Sequence, residues 1–305
     1  MLIDQYGRRI RKLRLSLTDK CNLRCHYCMP VDQVFMDESK YLSPDEIFEV
    51  VRELQGLGLE ELRLTGGEPL MRKSFNEIVA RIGTLNLQKL GLTTNGIYLD
   101  KYFDVLKENK VFNLNISLDS LNPLNFKKIT LGNHLERVIR NIKTAASLGF
   151  NVKVNTVMMR GVNDHELSDF VKFSETEKVE VRFLELMRIG HALSEQNEQY
   201  ISAKEMMEQL GPLKKVSMPY DSTSFNFVTE KGGNIGFIAS ESQPFCGNCS
   251  RWRLSADGIL RACLLKDDGR SIKTTERHLI YRELLGLKPM NRPLEVSHSM
   301  NAIGG

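Results

Sequence analysis

Six cysteines occur in this 305-residue chain, and they fall into two groups of three. Cys21, Cys25 and Cys28 lie in the run Cys21-Asn22-Leu23-Arg24-Cys25-His26-Tyr27-Cys28, and Cys246, Cys249 and Cys263 lie near the end. A tetrahedral zinc site or an ordinary four-iron cluster takes four protein ligands, whereas each group here offers three. Two iron–sulfur clusters, each with one iron open to a small molecule, account for both the count and the grouping. A zinc-stabilised binding module is the competing reading, although zinc ribbons favour paired Cys-x2-Cys units. Gly66-Gly67-Glu68-Pro69 is a second feature. Glycine permits backbone that other residues strain to adopt, so the run alone is only a turn. Arg251 and Arg253 are a third feature, alternating on an expected strand so that both point the same way. Arginine's fork matches phosphate oxygens, yet singly each of these is a solvated surface charge.

The elements that must position these residues are legible from periodicity. Residues 13–17 alternate apolar and polar, a strand signal, and residues 61–65 form the next strand. Between them Ser43-Pro44-Asp45-Glu46 opens a helix with a capping box, and Ile47, Val50, Val51, Leu54 and Leu57 follow at helical spacing up to Gly58. Phe75, Ile78, Val79 and Ile82 mark a second helix. Further strands are expected at 88–93, 112–118, 151–158 and 179–186, and helices at about 99–109, 134–148 and 164–175. Six strand–helix units predict a parallel sheet, open or curled into a barrel, with chemistry at the C-terminal strand ends. Cys21, Gly66-Gly67-Glu68, Thr94-Asn95 and Ser117 all fall there, which argues for one shared pocket. After about residue 187 the rhythm breaks. Ser202 starts one more helix, and two hairpins follow, 225–229 with 234–239 and 251–255 with 259–263. The expected architecture is a partial (β/α)6 TIM-like barrel over residues 1–200. A smaller antiparallel β layer over 201–305 carries the second triad and the Gly-Gly end.

Composition narrows the class. The chain is 41% hydrophobic and 26% charged, ordinary for a soluble globular protein. A net charge of +4, from 42 basic against 38 acidic residues, is too weak a bias to argue for nucleic acid. No run approaches the roughly 20 apolar residues of a membrane span. The first residues lack a signal-peptide apolar region, so a cytoplasmic location is expected, where cysteines serve metals or catalysis.

Cys-x3-Cys-x2-Cys resembles the signature of the radical S-adenosylmethionine (SAM) enzymes. That resemblance implies a four-iron cluster whose open iron is chelated by the methionine end of SAM, and reductive cleavage to a 5′-deoxyadenosyl radical. It also implies that Gly67 contacts the methionine amine and Tyr27 the adenine. The second triad narrows the match: Cys246-x2-Cys249-x13-Cys263 is similar to the molybdenum cofactor biosynthesis protein A family, the GTP 3′,8-cyclases. So are Leu64-Thr65-Gly66-Gly67-Glu68-Pro69-Leu70, Gly91-Leu92-Thr93-Thr94-Asn95-Gly96, Ser117-Leu118-Asp119, Phe245-Cys246-Gly247-Asn248-Cys249 and the ending Met300-Asn301-Ala302-Ile303-Gly304-Gly305.

The family resemblance implies a second four-iron cluster whose open iron binds the guanine of GTP. Arg14, Arg63, Thr94, Lys153, Arg251 and Arg253 match GTP-contacting positions, Ser117 and Met187 match SAM-contacting ones, and the tail with Gly304 and Gly305 enters the active site. It further implies conversion of GTP to 3′,8-cyclo-7,8-dihydro-GTP, the first step of molybdenum cofactor biosynthesis. A low-potential electron donor of flavodoxin or ferredoxin type and a downstream cyclic pyranopterin monophosphate synthase are the implied partners; a homodimer stays open. The runner-up is a radical enzyme acting on a peptide, with the second cluster auxiliary. Two departures stand out: Trp252, expected on the outer face of its hairpin where the family favours an aliphatic residue, and the loosely matching stretch after Met187.

Overall fold

The periodic segments become βα units in the computed structural model, which describes residues 1–194 and 196–294. The strands β1 (Lys12–Ser16), β2 (Glu61–Thr65), β3 (Lys89–Thr94), β4 (Asn113–Ser117), β5 (Asn151–Met158) and β6 (Glu180–Glu185) are joined by helices α1 (Pro44–Gly56), α2 (Phe75–Gly83), α3 (Phe103–Glu108), α4 (Pro123–Thr130), α5 (Leu135–Ser147) and α6 (Leu167–Glu177), with α4 and α5 both between β4 and β5. The α1 capping box forms as its sequence predicts: Glu46 N–H donates to the Ser43 hydroxyl, and Ser43 N–H donates to the Glu46 carboxylate. Its buried stripe is Ile47, Val50, Val51 and Leu54. Two expected helices begin as 3-10 turns, at Leu99–Lys101 and Asp164–Glu166, before α3 and α6.

The chain continues through α7 (Gln196–Gln199), α8 (Ala203–Leu210), β7 (Lys214–Val216), β8 (Phe225–Val228), β9 (Asn234–Ile238), β10 (Arg251–Leu254), β11 (Ile259–Arg261), β12 (Arg270–Ser271) and α9 (Arg277–Leu287). The antiparallel strands expected after residue 200 are present, and they extend the same sheet at both edges. Its order is β12-β11-β10-β1-β2-β3-β4-β5-β6-β9-β8-β7. β10 pairs parallel with β1, and β9 pairs parallel with β6, so each hairpin lends one strand to the parallel core. The order has two ends, so the barrel is open, and it is curled enough that Arg253 on β10 and Arg182 on β6 line one cavity.

One face of each strand feeds the core beneath the helices; Leu13, Leu15, Leu62, Leu64, Leu92 and Leu114 are buried there. Trp252 joins that face. Only 1% of it is exposed, and its ring lies 6.2 Å from that of Tyr281 on α9, which covers the outer side of the β10–β11 hairpin. The expectation of an outer-face residue holds, but α9, absent from the sequence reading, turns that face into core.

Candidate functional site

The loop after β1 carries the first triad and is held on two sides. Arg24 N–H donates to the Thr130 carbonyl at 3.0 Å and His26 N–H to the Ile129 carbonyl at 3.1 Å, so the end of α4 anchors it. The Asn95 amide, just past β3, donates to Asn22 at 2.7 Å and reaches the Cys21 sulfur at 3.9 Å. Tyr27 donates its hydroxyl to Asp119 at 2.7 Å, and the other oxygen of Asp119 accepts from Val157 N–H at 2.8 Å. Burial raises the Asp119 carboxyl to about 6 although both donors favour its charge. Burial likewise pushes the Cys21 thiol to about 11, with the Glu68 carboxylate adding to it.

Gly66 and Gly67 are required by contact. A Cβ on Gly66 would stand 2.6 Å from the Thr18 carbonyl, and one on Gly67 would stand 2.4 Å from the carbonyl of Lys20, the residue before Cys21. The turn after β2 is thereby pressed against the approach to the cysteine loop, and Gly67 N–H donates to Thr18 at 2.8 Å. Glu68 is fully buried. It accepts from the Thr94 hydroxyl at 2.8 Å, Asn95 N–H at 2.7 Å and Leu70 N–H at 3.1 Å, which ties the ends of β2 and β3 together. Burial lifts its carboxyl to about 7 against those three donors.

The second triad brackets β10 and β11, and its surroundings are cationic. Arg14, Arg63 and Arg253 occupy paired positions on the neighbouring strands β1, β2 and β10. The Arg14 guanidinium makes no ion pair among the described residues; burial and the charges of Arg253, Arg251 and Arg63 depress its pKa well below the ordinary value. Arg251 stacks 4.7 Å from the Phe245 ring centroid and approaches the Cys249 sulfur at 3.8 Å. Burial opposes ionisation of Cys249, but Arg251 and Lys288 outweigh it and bring the thiol to about 6.

A cavity of about 340 Å³ joins the two triads. All six cysteines line it, as do Tyr27, Gly67, Ser117, Met187, Arg14, Thr94, Arg251 and Arg253. Two predicted contacts do not reach its wall. Arg63 donates to the Leu92 and Asn113 carbonyls beneath Gly91, and Lys153 pairs with Glu180 at 2.6 Å. Gly304 and Gly305 lie outside the described residues. The Thr94 hydroxyl is engaged with Glu68, and it also accepts from Gly96 N–H at 3.0 Å. Sequence reasoning missed Arg182 and Arg292, which both line the cavity. Arg182 had a signal: it follows Glu180 by two on a recognised strand, so both share a face.

No two of the cysteines are bridged. Among the described residues no three His, Cys, Asp or Glu side chains gather around a single ion. The thiol donors, three to a group beside an open cavity, fit the cluster chemistry of such sites. The first triad adjoins the buried acids Glu68 and Asp119, and the second adjoins arginines.

The Radical SAM superfamily pattern matches residues 15–174, and Molybdenum Cofactor Synthesis C matches residues 179–283. A GTP 3′,8-cyclase from Synechocystis sp. is 56% identical over 310 aligned positions, covering 100% of this chain and 95% of that protein. A GTP 3′,8-cyclase from Aquifex aeolicus is 40% identical, covering 90% and 88%. Among solved structures, Streptococcus suis SuiB bound to precursor peptide SuiA superposes with a TM-score of 0.71 at 14% identity, over 93% of this chain and 67% of that one. That likeness concerns the fold. Between the cysteine-lined cavity and these full-length relatives, the chain belongs to the radical SAM superfamily and, within it, to the GTP 3′,8-cyclase family.

Proposed function

We propose that this protein converts GTP to 3′,8-cyclo-7,8-dihydro-GTP, with hydrogen abstraction from C3′ and bond formation at C8, as the first step of molybdenum cofactor biosynthesis. The observation that carries this reading is the single cavity lined by both cysteine triads, with Asp119 in its wall and the arginines Arg14, Arg182, Arg251 and Arg253 facing it. A sulfonium cosubstrate suits the first environment and a triphosphate the second. When bound with SAM, the first cluster supplies the one-electron cleavage that generates a carbon radical, chemistry no side chain performs unaided.

The chain's own residues bind and orient. Tyr27, Gly67, Ser117 and Met187 form the SAM wall, with Tyr27 fixed by Asp119. Arg14, Arg251, Arg253 and Arg182 face the cavity and hold the triphosphate, while Cys246, Cys249 and Cys263 would hold a second cluster, which would supply a Lewis-acidic iron for the guanine. Arg63 and Lys153 sit just behind that wall; a ligand reaching Lys153 must draw it from Glu180. Apolar neighbours such as Leu264, Leu265 and Phe126 shield the reacting centre from water. Residues 1–200 thus supply the SAM wall together with Arg14 and Arg182 for GTP, residues 201–305 supply the second triad with Arg251 and Arg253, and Arg14 meets Arg253 where β1 pairs with β10.

Electrons come from a low-potential flavodoxin- or ferredoxin-type donor, and a cyclic pyranopterin monophosphate synthase consumes the product. None of the described helices is long and apolar enough to cross a membrane, and the reading takes the cytoplasm as the working compartment. Deleting Gly304 and Gly305 should abolish cyclisation while both clusters remain. An anaerobic assay with C3′-deuterated GTP, SAM and reductant tests the function. Deuterium is expected in 5′-deoxyadenosine, and product formed with the label still on the nucleotide would refute the C3′ route.

A further inference from the structure

The strongest unassigned feature is a lysine buried behind the second triad. Lys288 closes α9 and is 2% exposed. Its ammonium donates to the Arg251 carbonyl at 2.7 Å, the Ala262 carbonyl at 2.9 Å and the Cys249 sulfur at 3.3 Å. An ammonium has three donors, and all three are used. Burying a charge is costly unless it is paired. Lys288 has no carboxylate partner among the described residues, so an anionic Cys249 is the partner within reach. Arg8 completes the arrangement. It is 8% exposed, held by Asp4 at 2.6 Å, and donates to the carbonyls of Cys246 at 2.6 Å, Pro289 at 2.9 Å and Lys288 at 3.2 Å. The backbone at Cys246, the sulfur of Cys249 and the carbonyl just before Cys263 are therefore all tied to the residues ending α9.

We propose that Lys288 is a positioning and charge-balancing residue for the second cluster: with Arg8 it clasps the three cysteine segments, and its ammonium hydrogen-bonds the Cys249 thiolate. This rests on the reading of the second triad as a cluster site. Hydrogen bonds to cluster sulfurs help set the reduction potential. A cation beside the sulfur favours the more negative, reduced state, so Lys288 raises the potential of this cluster and leaves the first unaffected. The nearby arginines face the substrate cavity, whereas Lys288 acts from behind.

The test is Lys288→Met in the full chain, reconstituted anaerobically and examined without GTP by iron analysis and EPR redox titration. The first cluster's signal should be unchanged. The second should either be lost, dropping iron from about eight to about four per chain, or titrate at a more negative potential. Full iron with both potentials unchanged would overturn the proposal alone; iron near four in the unmodified protein would overturn it together with the two-cluster reading. Should the variant fail to fold, unmodified protein labelled with 15N at lysine Nζ decides. Pulsed EPR of its reduced second cluster should show a 15N coupling, and its absence would sink the idea.

Discussion

Arg253 and Arg182 approach the cavity from opposite flanks of the parallel sheet, one on β10 and the other on β6. A charge-assisted hydrogen bond contributes on the order of 1.5–3 kcal/mol, so Arg253→Ala should weaken GTP binding by roughly ten- to a hundredfold. Arg182→Ala should weaken it less, because Glu180 already shares that guanidinium at 2.5 Å. Calorimetric titration of the reconstituted protein with GTP checks both, and unchanged affinity in Arg253→Ala would move the triphosphate elsewhere. The cysteines and glycines were readable at this scale because their chemistry admits few substitutes. The basic residues were less so: periodicity put Lys153, Arg63 and Arg182 on strands, but which cation reaches the cavity depends on neighbours such as Glu180 and Gly91 across the sheet.

At the scale of elements, Glu68 joins the exits of β2 and β3 directly beside the cysteine loop. Burial lifts its carboxyl from the ordinary glutamate value near 4.5 to about 7. An acid whose folded pKa is raised stabilises the fold fully below its unfolded value, and that contribution is lost as pH rises towards 7. The shift corresponds to about 3 kcal/mol. Thermal melts of the cluster-free protein should therefore decline between about pH 4.5 and 7, and Glu68→Gln should flatten that part of the profile; equal slopes in the two proteins would contradict this. The elements themselves were legible wherever one stripe was buried throughout, as in α1 and β5. Three helices escaped, one of them the four-residue α7. α4 spans eight residues, although Asn122 and Pro123 open it in the usual way, and α9 buries only Tyr281 and Leu284. Both matter to the site, since α4 anchors the cysteine loop and α9 delivers Lys288 behind the second triad.

The whole molecule divides its labour along one open sheet. Its β1–β6 core sets the first triad at the strand ends, and β10, inserted beside β1, brings a second triad to the same cavity from a segment more than 200 residues later. Because β10 pairs with β1 through backbone bonds, the two sites are rigidly related while their ligands come from separate loops. Loss of one cluster should therefore leave the other intact. Changing Cys246, Cys249 and Cys263 together to Ala should halve the iron, from about eight to about four per chain. The remaining triad, Tyr27 and Gly67 should still support reductive cleavage of SAM to 5′-deoxyadenosine, now uncoupled from GTP. No cyclised nucleotide should form, because a radical generated without a positioned substrate is quenched by whatever lies nearest. The complementary change of Cys21, Cys25 and Cys28 to Ala should abolish SAM cleavage and leave GTP binding near its original affinity. If either triple variant lost both clusters while its melting profile stayed cooperative, the two sites would be one assembly, and the division of the cavity into a SAM end and a GTP end would have to be abandoned.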